Sequence, residues 1–241
     1  LQLIPVTVSP QVPEWDDYID NRSAGVIANF FSSLSDHSRG CFLPSEVHEY
    51  LDQSGSRVGS YETSGSTTGE IIDRIDDFLF LNKRITLVNP DQWLFSGKSK
   101  PLFRELMTRW VRHGGGNCDV IRSRRRGKRS DDVERNWSTE IDQTNKLLKA
   151  LNYKGKFRFM AVNDDHLLGG KVLHDRFLLG AMTGGVQMGY GLELTTPPKS
   201  NRWVIMKEAS YLQEKAYFMS PDFPDEYEDE ESERYIWKYS S

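Results

Sequence analysis

From Thr67 onward, short apolar or β-branched runs alternate with stripes of apolar residues at helical spacing, and this alternation restricts the fold more than any other feature of the chain. Thr67 and Glu70 have the spacing of a capping box and precede Ile71, Ile72, Ile75, Phe78 and Leu79, so a helix starts here. Residues 84–89 (RITLVN) form a β-branched run stopped by Pro90. A second helix begins near Ser99 with Pro101 in its first turn, buries Phe103, Leu106, Met107, Trp110 and Val111, and ends at Gly114, Gly115 and Gly116. Residues 118–122 read as the next strand, and Trp137, Ile141, Leu148 and Leu151 as the stripe of another amphipathic helix. Residues 157–162, 172–179 and 186–192 supply three further strands. Strands separated by helices of this length predict an α/β domain over residues 69–220, with a mixed, mainly parallel sheet and helices on both faces.

The flanks differ. Residues 53–69 are dense in Gly and Ser and read as a linker. Residues 1–68 as a whole are expected to be that linker behind a small, mainly helical region, from the helical spacing of Val26, Ile27, Phe30, Phe31 and Leu34 and a short helix capped by Ser45. Residues 221–241 read as an acidic tail, since Asp222, Asp225, Glu226, Glu228, Asp229, Glu230, Glu231 and Glu233 crowd into it. The net charge of −4 excludes a protein that coats nucleic acid with its whole surface, but it conceals an opposite run: Arg122, Arg124, Arg125, Arg126, Lys128 and Arg129. That run is either a solvated loop or a polyanion-binding one, open to masking by the acidic tail. No run of apolar residues reaches membrane-spanning length, and the first residues lack the pattern of a signal peptide, so the expectation is a cytoplasmic protein, at most peripheral to a membrane. Cys41 and Cys118 fall in no disulfide or metal-ligand spacing, and neither a metal nor a cofactor is expected.

Chemistry concentrates in KVLHDRFLLG at 171–180 and GGVQMGYGLE at 184–193. In a strand, His174 and Arg176 point to one face and Asp175 to the other, which sets an imidazole beside a guanidinium. Gly184, Gly185, Gly189 and Gly191 surround a hairpin whose backbone N–H groups could meet an anion, and a guanidinium fork matches phosphate. The plainer alternative is a structural cluster, with Arg176 paired to a buried carboxylate such as Glu193 and His174 hydrogen-bonded in the core. His37, His48, His113 and His166 sit in loops or at helix ends and are expected to be exposed.

The His174-Asp175-Arg176 strand followed by Gly185, Gly189, Gly191 and Glu193 resembles the phospholipase-D superfamily, in its degenerate branch where His-Asp-Arg replaces His-x-Lys. It is most similar to the phospholipase-D-like C-terminal domain of MIT-domain proteins, a dimeric membrane-binding unit. The His-Asp-Arg-Phe start is also similar to phospholipase-D-like proteins of bacterial mobile elements. The motif is confined to residues 174–193; the order of elements over residues 71–194 is compatible with that fold, and residues 1–68 are not covered. In active members of the superfamily one His attacks phosphorus, a second protonates the leaving group and Lys neutralises the phosphoryl oxygens. This chain departs from that pattern. It has one such strand, so two His174 side chains could meet only across a homodimer. Gly180 stands where the orienting Asp would be, and Arg176 replaces the Lys. The resemblance therefore implies a non-catalytic phospholipase-D-like module that binds a phosphate-bearing partner, nucleic acid or anionic lipid, through Arg176, the glycine hairpin and the basic loop, and that mediates assembly as a homodimer. The alternative is a metal-independent phosphodiesterase or nuclease working as a homodimer through His174. A third reading is a structural assembly protein whose acidic tail and N-terminal helices hold protein partners.

Overall fold

A computed structural model describes residues 60–91, 93–95, 97–124, 131–162, 173–220, 223 and 236–240. Its elements run in the order β1 (Ser60–Glu62), α1 (Thr68–Asp73), α2 (Asp76–Leu81), β2 (Arg84–Val88), α3 (Lys100–Arg112), β3 (Asn117–Ser123), α4 (Asp131–Ala150), β4 (Lys156–Val162), β5 (Phe177–Gly180), β6 (Gly185–Met188), β7 (Arg202–Ile205), α5 (Glu208–Phe218) and β8 (Ile236–Ser240). The strands form one sheet in the order β1-β7-β6-β5-β2-β3-β4-β8.

The fold is α/β and the sheet is mixed, but it is not mainly parallel. Among the described strands, only β2 with β3 and β3 with β4 are parallel; the other pairings are antiparallel. The cause lies in the connections. A parallel neighbour needs a long crossover, which α3 and α4 provide, whereas β5 and β6 are joined by a tight turn closed by Gly180 N–H donating to Gly184 O at 2.9 Å. The antiparallel half of the sheet is thus a meander attached to the β2 side of the parallel half.

Helices cover both faces. Leu87, Val120, Phe159 and Leu178 point into a core shared with Ile71 and Phe78 of α1 and α2, Trp110 of α3 and Leu148 of α4. Val88, Ile121, Met160 and Phe177 alternate to the other face, where they meet Tyr211 and Phe218 of α5. Burying these side chains drives folding at roughly 25 cal/mol per Å² of apolar surface removed from water.

The predicted capping box is present at α1: the Thr67 hydroxyl accepts from Glu70 N–H at 3.3 Å, and Glu70 accepts from Thr67 N–H at 2.8 Å. Two features lie in stretches read as linker and tail. β1, from the Gly/Ser-rich stretch, pairs with β7, and Glu62 there accepts from the N–H groups of Ser64 at 3.0 Å and Asn201 at 2.8 Å. β8, after the acidic run, pairs with β4. The proposed N-terminal helices lie outside the described residues, as do all of the acidic residues named in the tail.

Candidate functional site

The carboxyl ends of β2 and β3 and the amino end of β5 share one rim of the sheet, because β5 runs antiparallel to β2 with Phe177 opposite Val88, and Val88 lies opposite Ile121 of β3. The ladders continue one residue further. Asn89 N–H donates to Ile121 O at 2.8 Å, and Met188 N–H donates to Arg176 O at 2.8 Å. Arg176, Asn89 and Arg122 therefore stand in one row across three adjacent strands, and alternation from Phe177, Val88 and Ile121 puts all three on the face covered by α1–α4. At about 4.8 Å between strands, the two arginine backbones are roughly 10 Å apart with Asn89 between them. The strand order also reverses here, with β3 on one side of β2 and β5 on the other, and open α/β sheets bind ligands outside the carboxyl ends of their strands at such a reversal.

Each member of the row is held differently. Arg176 folds inward: its Nη1 donates to Gly189 O at 3.0 Å and its Nη2 pairs with the Asp91 carboxylate, while its Nε is buried with no hydrogen-bond partner. Arg122 is buried, donates from Nε to Ser123 O at 3.1 Å, and lays its guanidinium 3.6 Å from the centre of the Trp93 ring. Behind it, the Glu140 carboxylate of α4 accepts the N–H groups of Leu94 and Phe95, each at 3.0 Å. Burial pushes Glu140 up to about 7, opposed by those two hydrogen bonds and by the Arg122 charge. Asn89 is 1% exposed, and neither its Oδ1 nor its Nδ2 has a hydrogen-bond partner.

His174 and Arg176 precede β5 rather than lying within it, and their side chains differ sharply in exposure, 75% against 19%. The His174 side chain is 75% exposed, with the Asp175 carboxylate 3.7 Å from its Nδ1, beyond hydrogen-bond reach. It is not buried in the core. Asp91, not Glu193, is the carboxylate on Arg176; Glu193 faces Lys98 at 3.6 Å. The glycines serve packing. Gly189 N–H donates to Arg202 O at 2.9 Å and Gly191 N–H to Met188 O at 3.4 Å, so both donors are used within the protein. A Cβ on Gly185 would lie 2.7 Å from the Met206 sulfur, which would have to shift, and Gly191 has a φ of +64°, where glycine is favoured. Gly189 contributes to the rim through its carbonyl, which holds Arg176.

Of the basic loop, Arg124 is described: it is partly exposed, and its N–H donates to Val162 O at 2.8 Å, so the loop leaves the sheet at this same rim. Arg125, Arg126, Lys128 and Arg129 lie outside the described residues. His113 is not in the open; its Nε2 lies 2.9 Å from Asp76 Oδ1, an oxygen that also accepts from Arg109 at 3.1 Å. Asn89, Asp91, Trp93 and Glu140 were missed by sequence reasoning. The signal that could have found the first two was their place immediately beyond a strand ended by Pro90, where such sheets carry their ligands.

Among the described residues no helix is long and apolar enough to cross a membrane. The chain matches no protein-family model, and no curated protein matches it.

Proposed function

We propose that this protein is a non-catalytic module, of phospholipase-D-like design, whose rim at the carboxyl ends of β2 and β3 binds a phosphate-bearing partner, nucleic acid or anionic lipid, and that it assembles as a homodimer. One observation carries this reading: Arg122 and Arg124 at the end of β3 and Arg176, far later in the chain and just before β5, meet at one rim of the sheet beside β2. Guanidinium groups suit phosphate because they stay charged and offer paired donors. Arg176 supplies the direct contact by transferring from Asp91 to a phosphate oxygen, whereas Arg122 is committed to Trp93 and sets the local field. The exposure of His174 and its distance from Asp175 favour binding over turnover, since a nucleophilic imidazole needs a fixed tautomer and orientation.

In the second reading His174 side chains of two copies meet at a dimer interface, which their exposure permits, and cleave a phosphodiester without metal. A single experiment separates them. Purified protein is titrated with single-stranded oligonucleotides and with phosphatidylserine vesicles, and both are assayed for cleavage. Binding without cleavage, weakened more by Arg176→Ala than by His174→Ala, is the expected result. Metal-independent cleavage that disappears in His174→Ala would establish the second reading, and absence of binding to either probe would remove the first.

A further inference from the structure

We infer that the basic part of the sheet face beside α5 is a docking surface for the chain's own acidic run, residues 224–235, bound in cis. The inference is independent of the rim and its ligand.

The face is built by alternation. Val88, Ile121, Met160 and Ile236 pack into the core beneath α5, so the residues two and four before them on β2, β3 and β4, and two after on β8, emerge on that same face. α5 lies along β5, with the Phe218 ring 6.5 Å from that of Phe177 and the Tyr211 hydroxyl donating to Gly180 O at 2.7 Å. Beyond it, the strands put four cations on the face, Arg84, Lys156, Arg158 and Lys238, and one carboxylate, Asp119. Asp119 is shared by Arg158 at 2.7 Å and Arg84 at 3.5 Å. Lys238 stands directly opposite Arg158 in the β4–β8 ladder, and Lys156 is two residues from Arg158 on the same face, about 7 Å away. Both lysines are exposed. Like charges directly opposite one another weaken a strand pair, and one carboxylate among four cations leaves these strands with a net positive charge. A negatively charged occupant relieves it.

The chain carries such an occupant at the right place. Residues 224–235 hold seven carboxylates and one arginine. The run is tied to this face at both ends. Phe223, just before it, is buried in the core beneath α5, its ring 5.7 Å from that of Phe218. Ile236, just after it, packs against the same core and pairs with Met160. From β5 to β8 is four strand spacings, roughly 19 Å. The intervening residues can reach about 40 Å when extended, which leaves slack to dip from the row of Ile236 to that of Lys156, roughly 13 Å along β4. Tethers on this face favour it over the basic loop at 124–129. They also make the contact intramolecular, so that exposed ion pairs too weak to hold separate molecules become populated.

The test treats the full chain with a water-soluble carbodiimide, which joins a lysine amine to a carboxylate in contact with it, and maps the products by mass spectrometry. Lys156 and Lys238 are expected to couple to carboxylates of residues 225–233 within one chain, equally well after dilution and less well in molar salt. Coupling of the run to Lys128 of the basic loop instead, coupling only between chains, or none at either lysine would overturn the inference. The sign of a charge reversal gives a second readout. Lys156→Glu with Lys238→Glu should lower the thermal midpoint of the wild type by about 2–4 °C, because it sets the run against like charge. In a variant whose seven carboxylates are replaced by amides the same reversal should raise the midpoint, since only the repulsion within the strands is then relieved. A change of the same sign in both backgrounds would show the face bare of the run and overturn the inference.

Discussion

At the scale of single residues, Glu140 shows most plainly how the rim is built. Its carboxylate fixes the segment after β2 by accepting from Leu94 and Phe95, and it faces the guanidinium that stacks on Trp93. Its pKa is raised from 4.5 to about 7, so over that interval the folded chain keeps a proton that the unfolded chain has released. The stabilising contribution is complete below pH 4.5 and is lost as pH rises through 7, amounting to about 3 kcal/mol across the whole window. Urea unfolding at pH 5 and pH 8 should show this slope in the wild type, and Glu140→Gln should flatten it; an unchanged slope would assign the titration to another group. Nothing in the sequence announces this residue. It sits three positions after Trp137 and one before Ile141, a carboxylate beside the apolar stripe of α4, and only the tertiary fold puts two backbone donors and a guanidinium within its reach. The same holds for Asp91, which could be paired with Arg176 only once β5 was known to lie antiparallel beside β2. His174 and Arg176 were legible as chemistry, but their relation was not, because the ladder reaches Arg176 and no further, so alternation does not carry on to His174.

At the scale of elements, sequence and structure agree where a local signal was strong. The Thr67 cap lies at the amino end of a helix only six residues long, so its loss should be felt: Thr67→Ala is expected to cost about 1 kcal/mol, measured as a shift in the urea midpoint at constant slope. β2, α3, β3 and β4 followed from apolar runs and stripes whose periods differ. The elements that escaped had no such period. β1 is three residues long, in a Gly/Ser-rich stretch, and becomes a strand because β7 offers it a ladder. In α5, Tyr211 and Phe218 are buried one heptad apart while Leu212 is half exposed, and Lys215 reaches over to donate to the Ala181 carbonyl, so the helix reads as neither amphipathic nor buried from its letters alone. The direction of the sheet was misjudged for a related reason: run lengths show strands, but the length of the connection sets parallel or antiparallel, and the hairpin read around Gly184–Gly191 does not by itself give the direction of the strands beside it.

At the scale of the whole molecule, charge is arranged by segment, and the rim lies at the root of the basic one. Partner binding should therefore depend steeply on salt, because each lysine or arginine that meets a phosphate releases condensed counterions. Neutralising Arg124, Arg125 and Arg126 together should reduce the slope of log affinity against log salt by up to about 3 for duplex DNA and about 2 for a single strand; a slope unaltered by the triple substitution would take the loop out of the interface. The order of the strands has a mechanical consequence as well. β1 and β8 come from opposite ends of the described chain and occupy opposite edges of the sheet, seven strand spacings apart, or roughly 30 Å. A pull applied at Ser60 and Ser240 acts across the strands, along the ladder hydrogen bonds rather than at right angles to them, and those bonds give way in sequence from the edges instead of sharing the load. In an optical trap the chain held at these two residues should unzip at low force with β1, the shorter edge, peeling first, while the same protein pulled along β2 and β3 should resist far more strongly.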